Sequence, residues 1–586
     1  MSKFSTLATA VSGLNAAQAG LYVTGHNMAN TNTLGYSRQR VLQQDFYSQN
    51  VGYNGIGLMQ VGLGTDVAGI RQIRDKFLDM HYRAESGKHD FYNVKTVTGS
   101  EIETIIGELQ SQYSTDSVLK DLWDSLNELS IDPSSIAARG TFVSTAITFI
   151  DKVNNVHDRL YDYQFNLNEQ IKNAVTRINQ LVEEIHKYNQ LITANELTGD
   201  RANDFRDSRN YCLDELSHLI EIDYIERPGG RIDILSNGSE LLANNFVNKL
   251  GFRYTHSEYS FVEPVFTQRQ DILAWDERAT PLFRMTGQVG AHIGNDKGKL
   301  WGLMVSRGLY PADYTHTEEY RERPDPNLYG GIHSTLYRED LFRYERWLFN
   351  ARQCVIPKVM IEIDTIVNKI VTMINDAVAP YIETPPGSGY CVMDPNAPYD
   401  LNYDNKAGFE VFVRKYVNRY NADGTYNKED PNDPFSLYSI GNITINPKLL
   451  DADGYNRIAL MLADSISDQP GGVSDNRNVL TEMLAKWKDK IISFYGGEPL
   501  SVDDAYRQFV TNIATETRES VNFVEQQAVL IQQIDNKRLS ISGVSLDEEM
   551  KNMMIYQHAY NASARVINTV DSMIDRVVNG TGRVGR

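Results

Sequence analysis

The longest uninterrupted apolar pattern of the 586-residue chain covers residues 143–192, which read VSTAITFIDKVNNVHDRLYDYQFNLNEQIKNAVTRINQLVEEIHKYNQLI. Apolar residues recur there every three or four positions, and neither Pro nor Gly interrupts them. This spacing predicts one long amphipathic helix. At a rise of 1.5 Å per residue, about 50 residues form a rod on the order of 75 Å long, which is typical of a coiled coil or a long helical bundle.

Further helical patterns flank this rod and indicate that it belongs to a bundle. A shorter apolar pattern over residues 119–129 stops at Pro133, because proline cannot continue a helix. Similar patterns cover residues 212–220, 345–379 and 506–534. Since helical patterns lie near both ends of the chain, the sequence predicts an antiparallel bundle that is closed by the N- and C-terminal segments.

Each chain end predicts a single amphipathic helix that lacks a local core. Three glycines weaken the first helix by up to about 1 kcal/mol each relative to Ala, so it should need a partner to bury its apolar stripe. We predict that the two helices pack against each other and against other copies of the chain; the alternative is that they only complete an intramolecular core. The residues proposed for this packing are Leu7, Val11, Leu14, Leu21 and Met28 in the first helix, and Met553, Tyr556, Tyr560, Ile567 and Ile574 in the second.

Two segments in the middle of the chain predict β structure instead. Residues 223–296 alternate polar and apolar residues between turn signals such as Asn237-Gly238, and residues 380–474 are rich in Pro, Gly, Asn, Asp and Tyr. The predicted fold is therefore multidomain: an α-helical coiled-coil or bundle core formed by the N- and C-terminal segments, with inserted β-rich outer domains. The predicted domains are 1–45 with 541–586 (terminal helices), 46–222 with 297–379 and 475–540 (long-helix bundle), 223–296 (β-rich insertion) and 380–474 (β-rich outer insertion).

The composition argues against several classes of protein. Acidic residues outnumber basic ones, 76 to 57, whereas a nucleic acid or an anionic membrane requires a basic surface. The 3 cysteines (Cys212, Cys354 and Cys391) are too few and too widely spaced for a disulfide framework. No segment has the apolar core of a secretory signal or the length of a membrane span. These features alone predict a cytoplasmic protein that neither binds nucleic acid nor inserts into a membrane.

The sequence contains no recognised catalytic or metal-binding motif. We find no HExxH, no P-loop and no nucleophile elbow, and the glycines around residues 52–64 do not fit GxGxxG, because Val67 stands where the third Gly is required. Asp400, Asn402 and Asp404 begin like a calcium loop, but Asn405 stands at the position that requires Gly and Val411 at that of the bidentate Glu. We therefore predict no metal, no cofactor and no enzymatic activity. An enzyme domain within residues 223–474 is the alternative that this pattern leaves open.

A polar turn follows the N-terminal helix, where Asn side chains can bond local backbone and Gly can adopt positive φ. Residues 12–40, SGLNAAQAGLYVTGHNMANTNTLGYSRQR, resemble the N-terminal motif of the axial flagellar proteins, which comprise rod, hook and hook-associated proteins. The end of this motif is similar to the hook-associated protein 1 family, and blocks at 64–78, 204–216 and 542–566 agree with it. The residues that carry the first resemblance are Asn27, Asn30, Asn32, Thr33, Gly35, Tyr36, Ser37 and Arg38.

This resemblance implies a structural role rather than catalysis. It implies export through the flagellar type III apparatus without a cleaved signal, an extracellular location on the bacterial flagellum, and assembly at the distal end of the hook as the junction that supports the filament. The implied partners are further copies of the chain, the hook protein, a second hook-associated protein and an export chaperone. The alternative within the same superfamily is a hook or rod subunit.

Overall fold

Helices account for most of the chain in a computed structural model of the protein. Eleven α-helices lie in the described part of the chain, and none of them is both long and apolar enough to cross a membrane. The described residues are 3–54, 57–107, 114–197, 199, 201–269, 271–317, 320–329, 332–395, 397–398, 400, 409–460 and 477–580. The helices are α1 (Lys3–Ala29), α2 (Lys76–Ile106), α3 (Thr115–Ile131), α4 (Ile136–Glu196), α5 (Asn203–Leu219), α6 (Lys299–Arg307), α7 (Thr335–Arg352), α8 (Val355–Val378), α9 (Arg477–Lys488), α10 (Val502–Ser542) and α11 (Leu546–Gly580).

The long apolar pattern forms a single helix, α4, as predicted. It has 61 residues and begins where the Ser135 side chain accepts a hydrogen bond from the Ala138 N–H, which satisfies one of the free donors at the helix start. Its apolar stripe is buried by α3, α5 and α6, while α2 packs along α10. A helical core is thus confirmed, but among the described residues it joins α2 to α10 rather than the two terminal helices, and the coiled coil stays a prediction.

The strands of the described residues form six small antiparallel sheets rather than one large one. Near the N-terminus β1 pairs with β4 and β2 with β3; four strands (β5 to β8) and three strands (β9 to β11) then form two sheets, and two further pairs follow. The strands are β1 (Gln39–Asp45), β2 (Ser48–Asn54), β3 (Gly57–Gly62), β4 (Thr65–Gln72), β5 (Asp223–Glu226), β6 (Ile232–Ser236), β7 (Ser239–Ala243), β8 (Phe246–Val247), β9 (Leu250–Tyr254), β10 (Val262–Phe266), β11 (Thr280–Pro281), β12 (Tyr381–Glu383), β13 (Cys391–Met393), β14 (Phe412–Arg414) and β15 (Ile443–Ile445).

The first predicted insertion contains strands, as the sequence indicated. Asn237 and Gly238 join β6 to β7 with φ values of 48° and 76°, and a tight hairpin turn needs both residues in this left-handed region. The insertion is tied to the rod by Asn179 of α4, which donates to the Leu250 oxygen (2.8 Å) and accepts from the Leu250 N–H (3.0 Å). The Asn179 side chain therefore satisfies both backbone hydrogen-bonding groups of Leu250, the first residue of β9.

The second insertion has much less strand than predicted. Its described strands are only three residues long each. Asn and Asp side chains compete with strand ladders because they bond nearby backbone directly. Asn375 of α8 shows this effect: it accepts from the N–H groups of Val411 and Phe412 and donates to the Phe412 oxygen.

Strands β2, β3 and β4 lie within residues 46–222, which were predicted to belong to the long-helix bundle. β2 and β3 pair antiparallel with each other. The predicted boundary between residues 45 and 46 separates β1 from β4, which pair along their length and both lie beside α1. The division into domains otherwise remains a prediction.

A buried carboxyl group in the bundle leads to a pH-dependent prediction. Burial raises the pKa of Glu362 on α8 to about 7; neighbouring Lys358 opposes the shift and Glu516 on α10 adds to it. Between about pH 4.5 and 7 the folded chain keeps a proton that the unfolded chain loses, so stability falls as the pH rises through this window and then levels off. We expect Glu362→Gln to raise the free energy of unfolding at pH 8 by up to about 3 kcal/mol and to have little effect near pH 4.

Urea unfolding of the wild type and the variant at both pH values measures this difference. Glu128→Gln is the matched control, because Glu128 is exposed on α3. An equal effect of Glu362→Gln at pH 4 and pH 8 would contradict the assignment.

Candidate functional site

The two chain ends meet where α1 and α11 pack along one another. Their approach is close because α1 presents small residues: a Cβ placed on Gly20 would lie 2.5 Å from the Tyr556 ring, and one on Gly13 would lie 3.1 Å from Ser563 Oγ. The most buried residues of α1 include Ala10, Ala16, Ala17, Gly20 and Val23.

The predicted apolar stripes lie beside this contact rather than at its centre. Leu7, Leu14, Leu21 and Met28 are only partly buried, and Val11 is 41% exposed. The offset arises because a periodicity argument ranks residues by hydrophobicity, whereas close helix packing selects for small size. The packing proposed for the stripe residues stays a prediction. On α11, Met553, Tyr556, Ile567 and Ile574 are partly buried, Tyr560 is exposed, and Val570 is fully buried.

The contact between Gly20 and Tyr556 leads to a paired prediction. In a free helix Gly→Ala stabilises by up to about 1 kcal/mol, and Gly25→Ala should do so here because nothing lies within 4 Å of its added Cβ. We expect Gly20→Ala instead to destabilise the α1–α11 pair by about 1–3 kcal/mol, since the Tyr556 ring must move. Hydrogen exchange of the α1 amides measures both changes, and equal protection in the two variants would contradict the packing.

Asn27 is the central residue of the polar turn. Its Nδ2 donates to the Gln39 oxygen (2.9 Å) and to Oε2 of Glu549 (3.1 Å). Its Oδ1 accepts from the Gln39 N–H (3.0 Å) and from the Tyr36 hydroxyl (2.7 Å). A buried amide has two donors and two lone pairs, so every hydrogen-bonding position of Asn27 is used. This one side chain joins α1, β1 and α11.

Three other motif residues shape the turn itself. Asn30 Nδ2 donates to the His26 oxygen at the end of α1, and the Thr33 hydroxyl donates to Asn30 Oδ1. Gly35 has φ +78°, and the position of a Cβ there would lie 3.1 Å from Tyr211 of α5, so a side chain is excluded by conformation and by space. Asn32 is exposed.

Ser37 and Arg38 connect the turn to two distant parts of the chain. The Ser37 N–H donates to Oδ2 of Asp207 on α5 (3.1 Å). The Arg38 N–H donates to the oxygen of Ser542, the last residue of α10 (2.8 Å), and its guanidinium donates to Oε2 of Glu548 on α11 (2.6 Å). The motif thus brings both ends of the chain and the end of the bundle to one place.

A largely buried set of charged side chains lies beneath this turn. Arg538 of α10 donates to Asp214 (2.8 Å) and contacts Asp79 (3.0 Å), while Arg83 of α2 donates to Asp214 (2.6 Å). Burial alone would raise the pKa of Asp214, but the arginines outweigh it and hold this pKa below its ordinary value. We call this set the ion network; its members are Arg74, Asp79, Arg83, Asp207, Asp214 and Arg538.

Asp207 behaves differently within the ion network. Burial raises its pKa to about 6, and the hydrogen bonds from Ser37 and the charge of Arg74 oppose this shift only in part. The sequence did not identify any member of the ion network as a site residue. Arg74, Asp207 and Asp214 nevertheless lie in the blocks 64–78 and 204–216, whose resemblance to the family could have pointed to them. Arg538 lies outside every block that carries the resemblance.

The place where α1, the polar turn and α11 meet, which we call the junction, holds the two chain ends together. Within the described ranges, no group of three or more His, Cys, Asp or Glu residues could hold a metal ion. Asp400 of the incomplete calcium pattern is buried, and Asn402, Asp404 and Asn405 lie outside the described residues. All three cysteines are buried and unpaired.

Two family models match separate parts of the chain. Residues 99–305 match the helical domain of flagellar hook-associated protein FlgK. Residues 536–580 match the C-terminal region of the flagellar basal body rod proteins FlgEFG. The second match covers the end of α10 and all of α11, which are the elements that reach the junction.

Full-length relatives and one solved structure agree with these matches. The chain is 26% identical to flagellar hook-associated protein 1 of Bacillus subtilis, with 100% of both chains covered. It is 24% identical to the protein of that name from Escherichia coli, over 98% of this chain and 99% of the relative. The flagellar hook junction protein FlgK from Burkholderia pseudomallei shares the fold with a TM-score of 0.50 at 12% identity, over 79% of this chain and 100% of that one.

Proposed function

Because the chain belongs to the family of flagellar hook-associated protein 1, we propose that it is a structural subunit of the bacterial flagellum at the junction between hook and filament. This proposal rests on one observation: α1 and α11 pack together, yet large apolar side chains of both helices stay exposed. The family is one of structural flagellar proteins and not of enzymes.

Exposed apolar side chains extend along α1, the end of α10 and α11. Burial of one such side chain against a neighbour contributes about 1.5–3 kcal/mol, so a row of them favours assembly over an isolated subunit. Head-to-tail contacts between copies then build a helical layer rather than a closed dimer. The residues concerned include Val11, Tyr22, Leu539, Leu546, Met554, Ile555, Val566, Met573, Val577 and Val578.

The proposal extends to partners and location. We propose that the subunit contacts further copies of itself, the hook protein and a second hook-associated protein, and that a flagellar export chaperone binds it before assembly. We also propose that it leaves the cell through the flagellar export apparatus without a cleaved signal and acts outside the cell. The three glycines in α1 support this route, because a helix that is weak alone becomes ordered when neighbours bury its stripe.

A hook or rod subunit remains the alternative. The match of residues 536–580 to the rod family favours it only for the C-terminal helix, whereas the likeness to hook-associated protein 1 covers the whole chain. The residues between α5 and α9 are therefore covered by the likeness to hook-associated protein 1 and lie outside the match to the rod family.

The test is a strain that lacks this chain. We expect its cells to carry hooks without filaments and to regain filaments when the full chain is supplied. Antibody against the chain should label detached flagella at the boundary of hook and filament. Normal filaments in the deletion strain, or label along the hook or the rod, would contradict the proposal.

A further inference from the structure

A cavity of about 480 Å³ lies far along the chain from the junction residues, between the sheet of β9 to β11, the segment that follows α6, and α7. Its volume is that of a site for a small molecule. Five arginines line it against three carboxylates, although the whole chain has a net charge of −19. A cationic cavity on an acidic protein favours an anionic ligand.

The floor of the cavity is a carboxylate held by two arginines. Glu263 on β10 accepts from Arg253 on β9 (2.5 Å and 3.0 Å) through Oε1 and from Arg346 on α7 (3.0 Å) through Oε2. Both oxygens of Glu263 are engaged by arginine donors, so the group is poorly placed to act as an acid or a base. The three side chains together carry one positive charge and make a rigid floor for binding rather than catalysis.

Two further arginines stand at the exposed rim. Arg321 lies over the Trp347 ring, with its guanidinium carbon 5.6 Å from the ring centre, and Arg343 is exposed on α7. The structure pairs neither of them with a carboxylate among the residues it describes. A guanidinium with free donors matches the two oxygens of a carboxylate.

The opposite wall is aromatic. Trp275 is 45% exposed and lies nearly parallel to the His256 ring at 6.4 Å, and Tyr310 lies 5.3 Å from the same ring. His256 Nδ1 accepts from the Glu258 N–H, so the neutral ring carries its proton on Nε2 as a donor. Exposed aromatic faces beside polar groups suit a ligand with an apolar face and a hydroxylated edge.

We propose that this cavity binds a carboxylated sugar. The carboxylate would pair with Arg321 and Arg343, the C–H face of the sugar ring would stack on Trp275, and the sugar hydroxyls would meet the rim carboxylates Asp276 and Glu339. The cavity opens to solvent, so the end of a longer acidic saccharide could enter as well as a free sugar. This inference goes beyond the junction function and does not depend on it.

The test is calorimetric titration of the purified full chain with galacturonate, and with galactose as the neutral match. We expect galacturonate to bind at least about tenfold more tightly, because hydrogen bonds to a charged group are lost in galactose. The double variant Arg321→Gln with Arg343→Gln should weaken galacturonate binding by on the order of tenfold or more. Trp275→Ala should weaken it as well.

The matched controls are Arg518→Gln on α10 and Phe165→Ala on α4, both of which change exposed side chains outside the cavity. They should leave the affinity for galacturonate unchanged. Equal binding of galactose and galacturonate, no binding of either, or equal loss in the control variants would overturn the proposal. Tighter binding of benzoate or of a nucleoside monophosphate than of galacturonate would also overturn it, since the site would then select an aromatic acid or a phosphate.

Discussion

Removal of residues 1–30 is expected to abolish incorporation of the chain at the hook tip while the helical bundle stays folded. Among the residues whose burial the structure describes, neither α1 nor α11 contributes to the main core, which extends from Phe91 to Ile513. The same result is expected for removal of residues 546–586, because each terminal helix is the packing partner of the other. Thermal unfolding of the purified truncated chains measures the fold, and filament growth in a deletion strain measures incorporation.

A single charge in the apolar stripe of α1 should also reduce incorporation of the chain at the hook tip. Leu14 is partly buried on α1, and Leu14→Asp places an ionised group where apolar neighbours are expected, which is costly without a partner. Gln18→Asp is the matched control, because Gln18 is exposed on the same helix. Filaments grown on truncated chains, or normal motility with Leu14→Asp, would count against packing of these helices between subunits.

Asp214→Ala is expected to lower the free energy of unfolding by about 3–5 kcal/mol. Oδ1 of Asp214 lies 2.6 Å from Nε of Arg83. Its Oδ2 lies 2.8 Å from Nη2 of Arg538 and 4.0 Å from Nη2 of Arg74. Its loss would leave three guanidiniums close together in a largely buried place, where unbalanced charge is expensive. Urea unfolding followed by far-UV circular dichroism measures the change.

Two comparison variants separate this effect from a general loss of charge. Asp124→Ala removes an exposed carboxylate on α3 and should stay within about 0.5 kcal/mol of the wild type. Arg538→Met combined with Asp214→Ala should cost less than the sum of the two single changes, because it also removes one of the unbalanced cations. A loss below about 1 kcal/mol for Asp214→Ala would show that the arginines find other partners.

The long helices could be predicted from the sequence because their period repeats over many turns. α4 and the hairpin turn at Asn237 depend on local residue order, and the structure agrees with both. The strands of the second insertion could not be predicted well, since Asn375 replaces part of a strand ladder with side-chain hydrogen bonds. Local patterns do not reveal such a substitution.

The junction was predictable in part. Asn27, Ser37 and Arg38 connect the polar turn to other parts of the chain, while the role of the motif residues as a site remains a prediction. The ion network was not predictable, because Arg538 lies 324 residues from Asp214 and no local pattern marks it. The close approach of α1 to α11 at Gly20 was not predictable from the apolar pattern, because it depends on small residue size.

The hydrogen bond between Asn27 and Glu549 joins residues 522 positions apart. Arg38 and Glu548 are separated by 510 positions, so the second link closes over almost the same span. A growing chain therefore cannot complete these two links until residues 548 and 549 have been made. The arrangement distinguishes a finished subunit from an unfinished one, because a chain that stops before Glu548 leaves the Nδ2 group of Asn27 and the guanidinium of Arg38 without these acceptors.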